Sequence, residues 1–319
     1  MNTGKKLLLG SAILLATACR MDRPEPLPEG PLCGVRIEPG KEKIEELDRP
    51  LDETKTDAKD LYAVQVYKGA IKYAYGIFDD PDQMSLELEE GKTYRIEVTA
   101  VERATAAIAT ENGAYGAPFD LGGTGKGPGK VTNRFTKTMT TGMNCLSRGT
   151  ASIPEGNTIE AYDRPPLSRY YGAVEGIRPE EGMRIAIPLK WVCFALTVQP
   201  QDFREGTLEI EMEGAPKLSI TAGGTESVTK RVFSFAHPDA TAGDWSEEGY
   251  QETVPTTIRW IRADGTEQLL RNAYPFLFTR KYEKILHIIC SDEPSDGIRL
   301  DKEAAELWPE SPEIIQTKN

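Results

Sequence analysis

The sequence predicts an all-β protein built from two β-sandwich domains in tandem, and three observations carry that expectation. Short runs rich in β-branched and aromatic residues recur along the chain with no long helical pattern between them. Several of these runs alternate with period two: Tyr94, Ile96, Val98 and Ala100 fall on one face, Arg95, Glu97 and Thr99 on the other. Setting aside an N-terminal leader leaves roughly 300 residues, the length of two ordinary domains.

The leader comes first. Lys5 and Lys6 precede the apolar run Leu7–Leu15, and Ala16-Thr17-Ala18-Cys19 follows. A basic start, a short apolar core and small residues before a cleavage point are the parts of a secretory signal peptide, here residues 1–18. The run is too short to cross a bilayer of ~30 Å as a helix. Cys19 stands where a bacterial lipoprotein signal places the cysteine to be acylated. The box is imperfect, with Ala16 where leucine is usual and Leu15 one position upstream. The mature chain is therefore expected to begin at Cys19, carrying covalent lipid (palmitate among its acyl chains). Residues 19–31 then form a tether, because four prolines among Arg20–Pro31 prevent both sheet pairing and helix and favour an extended spacer.

The first domain is placed at residues 32–178. Its strands are expected near Cys33–Ile37, Leu61–Tyr67, Lys72–Phe78, Met84–Leu88 and Thr93–Val101, with a turn at Glu90-Gly91-Lys92 and one or two helical turns at Lys41–Leu47. Gly122–Lys130 has the look of a phosphate loop, but Thr124 replaces the first glycine and Val131 the final Ser or Thr, so a surface loop is expected. Arg178-Pro179 marks the domain boundary. The second domain, residues 179–290, opens with Met183–Val198, in which Pro188 signals a bulge or an edge position. Leu208–Glu213, Leu218–Ile220, Val228–Phe235, a hairpin of Thr257–Arg262 and Thr266–Arg271 about Asp264-Gly265, Phe276–Phe278 and Tyr282–Cys290 follow. The acidic tail, residues 291–319, reads as a solvated extension with a short helix over Asp301–Leu307, or as a strand offered to a partner.

Composition narrows the function. Without Lys5 and Lys6 the chain holds 36 basic and 50 acidic residues, a net charge of −14. Such a protein is repelled by nucleic acid and by anionic lipid surfaces. Four cysteines follow Cys19, with no metal-like spacing; outside the cytoplasm they suit either two disulfides or free buried thiols, and Cys193 with Cys290 is the first pair to consider. His237 and His287 are the two histidines of the chain. Asp79-Asp80-Pro81-Asp82 has the carboxylate density of a calcium loop, although such runs are more often turns. No Gly-x-Ser-x-Gly elbow, HExxH or nucleotide loop is present, so no cofactor and no catalysis are expected.

At Gly91-Lys92-Thr93-Tyr94-Arg95-Ile96-Glu97-Val98, Ile187-Pro188-Leu189-Lys190, Gly206–Gly214 and Pro275–Tyr282 the chain resembles the fimbrillin-like lipoproteins of Bacteroidetes. That group includes pilus subunits and their lipid-bearing anchors. The resemblance spans residues 19–290 and implies Greek-key, transthyretin-like sandwiches and pilus or other surface subunits as partners, joined by strand addition. It also implies an outer-membrane location; the cell surface is favoured over the periplasmic face, but Arg20 and Arg23 mixed with Asp22, Glu25 and Glu29 make no clean acidic export run, and both faces stay open. Stalk subunits of the group lose their first strand at an arginine cut by an external protease. Here the candidate, Arg49, precedes Pro50, a poor context for cleavage, and an anchor, accessory or adhesin role fits better. The alternative is a glycan-binding surface lipoprotein of a polysaccharide-uptake system, with Trp245, Tyr250 and Trp260 as stacking platforms.

Overall fold

The structure, a computed structural model, describes residues 30–44, 58–107, 110–111, 114–115, 130–137, 151–155, 158–223, 229–237, 239–290 and 300–306. The leader, Cys19, most of the tether, Arg49, Cys145 and most of the glycine-rich loop lie outside the described residues.

The fold is nearly all β. In chain order the first unit contains β1 (Leu32–Lys41), β2 (Leu61–Lys68), β3 (Ile71–Phe78), β4 (Ser85–Glu89) and β5 (Tyr94–Val101). The short helix α1 (Ala104–Ala107) follows, then β6 (Thr110–Glu111), β7 (Ala114–Tyr115), β8 (Thr136–Lys137), β9 (Ala151–Glu155), β10 (Thr158–Tyr162), β11 (Arg169–Ile177) and β12 (Met183–Trp191). Eight of these strands form one ladder in the order β4-β1-β12-β11-β5-β2-β3-β8. One buried cluster holds Val35, Ile37, Leu88, Ile187 and Leu189 from one end of the ladder together with Val64, Ile96 and Val98 from the other. The ladder is therefore doubled over, with β12 at the corner.

Pro188 explains the corner. β12 pairs with β11 only at Tyr170↔Trp191 and Tyr171↔Lys190, and runs parallel to β1 over the preceding residues. A proline has no amide hydrogen to give a neighbour, so it sits where β12 leaves one sheet for the other. Gly172 lets the layers cross closely: a Cβ there would lie 2.3 Å from the Pro188 carbonyl oxygen and 3.0 Å from its carbon. Both are backbone atoms and cannot swing aside. Gly172→Ala is expected to cost about 1–3 kcal/mol, read as a lowered urea midpoint.

The second unit contains β13 (Cys193–Gln201), β14 (Thr207–Met212), β15 (Leu218–Thr221), β16 (Thr229–Ser234), the short helix α2 (Ala242–Trp245), β17 (Gln251–Ile261), β18 (Glu267–Thr279), β19 (Tyr282–Ile289) and β20 (Leu300–Glu306). They make two four-stranded sheets, β16-β13-β19-β20 and β15-β14-β17-β18. Phe194, Leu196, Phe233, Leu286 and Ile288 of the first share a core with Leu208, Ile210, Ile258, Phe276 and Phe278 of the second. This is a β-sandwich.

Several expectations change. Met183–Trp191, which reads as the opening of the second half, belongs to the first ladder, and the chain passes between units at Val192 rather than near residue 179. The alternation puts Arg95, Glu97 and Thr99 on a solvated face, yet Glu97 and Thr99 are buried, as is Gln65 on the neighbouring β2. On that same face Leu61, Ala63 and Val101 join the core of the second unit, so β5 is covered on both sides. Thr266–Arg271 and Phe276–Phe278 are one strand, β18, interrupted by bulges and by Ala273 at φ 45°. Lys41 ends β1 as a strand residue, and Glu42–Ile44 are not helical. The Asp301–Leu307 region is strand through Glu306, paired antiparallel to β19, where the sequence reads as helix.

Candidate strand-exchange interface

A strand-exchanging protein needs a strand that fills a groove, an edge that can accept one, and a body that survives tension. Backbone groups in a buried groove must be paired, so the identity of the groove's occupant decides what the protein can exchange.

The first strand, β1, is built deep into the first unit. It lies between β4 and β12, with Val35↔Met183 through Lys41↔Leu189 in parallel register on one side. On the other side Leu32↔Glu89 through Arg36↔Ser85 run antiparallel. Val35 and Ile37 point inward and are 3% and 0% exposed. At its start the Glu181 carboxylate accepts from the Gly34 amide at 2.7 Å, and the Gly182 amide donates to the Gly34 carbonyl. An open depression of about 440 Å³ lies over this region, lined by Gly34, Arg36, Ser85, Glu87, Gly182 and Arg184. On its rim Arg36 pairs with Asp82 and Arg184 with Glu38.

At the other end of the chain, β20 covers the outer edge of β19, from Tyr282↔Glu306 to Ile288↔Leu300. Its sequence, Leu-Asp-Lys-Glu-Ala-Ala-Glu, consists of good helix formers and residues depleted from strands. The opposing sheet ends in β18, whose two bulges and Pro275 blunt it against strand addition, although Leu269 and Leu277 are exposed there.

Between the two units lies a buried ionic clamp that sequence reasoning did not find. Arg280, in the two-residue turn from β18 to β19, has a fully buried side chain. Its Nε donates to the Glu247 carbonyl at 2.9 Å and its Nη1 to the Trp191 carbonyl at 3.0 Å and to Glu42 at 3.2 Å. Nη2 reaches Glu248. Lys281 beside it pairs with Glu42 and holds φ at 68°, a conformation rare outside glycine. Glu42 follows directly on β1 and also accepts from the Trp191 amide at 3.1 Å. The clamp thus ties the exit of β1 to the corner after β12 and to the start of β19. No signal in the sequence links these residues, because Glu42 and Arg280 are 238 positions apart.

Burial alone would raise the Glu42 carboxyl, but hydrogen bonds from Lys281 and the Trp191 amide, with the charges of Lys281 and Arg280, hold it below the ordinary 4.5. A carboxyl depressed on folding stabilises above its unfolded pKa, and that stabilisation disappears as pH falls through the folded value. Stability should therefore decline below about pH 4.5, and Glu42→Gln should decline less steeply there. Urea midpoints of both proteins between pH 7 and pH 3 provide the check; parallel curves would remove Glu42 from the account.

The other residues singled out from sequence are structural. Trp245 and Trp260 are 1% and 2% exposed. Trp245 packs under the Arg169 guanidinium, the Trp260 indole donates to the Glu205 carbonyl, and Tyr250 stands edge-on to Phe235. Trp245 and Trp260 therefore present no exposed ring face for a glycan, and Tyr250 is half-buried. Cys193 and Cys290 are free and buried, so they form no disulfide. They stand at opposite ends of the β13–β19 pair, nine residues of strand apart in register, roughly 30 Å, whereas a disulfide needs α-carbons within ~7 Å. Burial pushes both thiols up to about 12. Cys33 is likewise a free, buried thiol. Asp79–Asp82 is a capped turn: Asp80 accepts from the Asp82 amide, Asp79 pairs with Lys59 and Asn133, and Asp82 with Arg36. His287 lies on β19 beside Gln201.

Fold and site together define an all-β sandwich protein whose distinctive features are strand edges and their occupants. No family model matches the chain, and no curated protein matches it. Among solved structures its neighbours include fimbrial and adhesin-like proteins of Bacteroidetes, and a protein of Bacteroides thetaiotaomicron described as polysaccharide binding. The fimbrial anchor protein Mfa2 from Porphyromonas gingivalis is 10% identical at a TM-score of 0.40, covering 90% of this chain and 99% of that one. The tip fimbrial protein Mfa3 from the same organism is 9% identical at 0.36, covering 86% and 98%. A fimbrial assembly protein from Parabacteroides distasonis is 12% identical at 0.37, covering 90% and 98%.

Proposed function

We propose that this protein is a non-enzymatic, lipid-anchored subunit of the fimbrial type, held at the outer membrane by acylated Cys19 and facing the cell surface. In this reading it serves as an anchor or as an accessory or adhesin subunit, and partners join it by strand addition. The observation that carries the reading is the placement of β1. The strand that follows the tether is locked between β4 and β12 with its apolar side chains in the core. Its removal would separate the body from its lipid, so the accepting edge must lie elsewhere. The edge of β19, covered only by a strand of helix-forming sequence, meets that need.

Affinity purification of the native protein, with mass spectrometry of what accompanies it, tests the reading; other surface or pilus subunits are expected. Recovery of none would sink it. Cys19→Ser is expected to move the protein from the membrane fraction to the soluble envelope fraction and abolish incorporation of a labelled fatty acid. A variant that stays membrane-bound with its label intact would refute the lipid anchor.

A further inference from the structure

Two parallel strand pairs and a single peptide connection lead from the tethered end of the body to its far end. β1 and β12 are parallel over seven rungs, Val35↔Met183 to Lys41↔Leu189. β12 runs through Val192 straight into β13. β13 and β19 are parallel over seven more, Ala195↔Glu283 to Gln201↔Ile289.

Tension applied between the lipid and the C-terminal side enters β1 at Leu32 and leaves β12 at Trp191. It then enters β13 at Cys193 and leaves β19 at Ile289. Because both pairs are parallel, tension always enters at one end of a ladder and leaves at the other. All rungs of such a ladder are sheared together and must fail together. An antiparallel pair pulled from one end opens rung by rung. We infer that β1–β12–β13–β19 is a force-transmitting spine, two shear-loaded ladders in series, with the Glu42–Arg280–Lys281 clamp locking the joint where all four strands meet.

β20 has the opposite character. It is antiparallel to β19, and its C-terminal residue Glu306 faces Tyr282, at the joint end of β19. A pull on the C-terminus peels it one rung at a time, freeing roughly 55 Å of chain between Cys290 and Glu306. The cover on β19 is thus lost first, at low force, while the spine holds. The use of such a spine rests on the reading above, but its mechanics do not, and the two fail in different experiments.

Optical-tweezer pulling of the full-length Cys19→Ser chain tests the inference. One pair of handles is attached at positions 20 and 319, a second pair at positions 20 and 180. Glu180 is exposed in the turn before β12, so the second pair pulls β1 and β12 from the same end of their ladder. At equal loading rate the end-to-end pull should rupture the first unit at a clearly higher force, after an early low-force release of the tail. Equal or lower force, or yielding without a force peak, would overturn the spine. A repeat with the handle at the exposed Arg178 guards against disturbance of the Glu181–Gly34 hydrogen bond.

Discussion

Arg280→Ala is expected to destabilise the protein by about 2–4 kcal/mol, because it removes the donor to the Glu247 and Trp191 carbonyls and one of the two cations on Glu42. The guanidinium has no exposed surface and spends its donors on two carbonyls and two carboxylates. Truncation leaves the Glu247 and Trp191 carbonyls without this donor and leaves Glu42 with Lys281 as its remaining cation. Arg280→Lys should lose less, since it keeps the charge but not the planar fork. Glu248→Gln should change stability by less than about 1 kcal/mol, because Glu248 is 76% exposed and its pair is screened. Urea unfolding of the three variants gives the ordering. An Arg280→Ala loss under about 1 kcal/mol would show that the clamp does not hold the units together.

What the sequence makes legible is local. The strands at Tyr94–Val101 and Leu208–Met212 and the Asp264-Gly265 turn between β17 and β18 are visible because period-two spacing and a glycine turn are properties of neighbouring residues. The passage between units is not, since Met183–Val198 reads as one run and only hydrogen-bond partners divide β12 from β13. Burial of Trp245 and Trp260 is equally hidden: an aromatic residue in a strand or turn carries the same signal whether it stacks on a ligand or fills a core. Cys193 and Cys290 both fall in or beside strands of one sheet, but the parallel register that sets them at opposite ends joins segments far apart in the chain. The tail is the sharpest conflict between local preference and observed state. Its residues favour helix, yet they form a strand because β19 offers them an edge to pair with.

That conflict gives the second large expected effect. Deleting residues 291–319 should leave the fold intact, because β20 is joined to the body through its ladder on β19 and Leu286 and Ile288 remain in the core. The deletion bares the edge of a strand whose alternate residues, Ile285 and Ile289 among them, are partly exposed. In the intact chain an arriving strand must displace β20, so its apparent affinity is reduced by the fraction of molecules in which the tail is off. If the tail is seated in nine molecules of ten or more, removing it should strengthen capture of a partner strand at least about tenfold. Surface plasmon resonance with immobilised partner subunits from the purification, using intact and truncated chains, measures the change. An increase identifies β20 as a cover over the accepting edge. Lost binding would instead make the tail the donor, and unchanged binding would move the link to another edge; either result ends the case for β19 as acceptor.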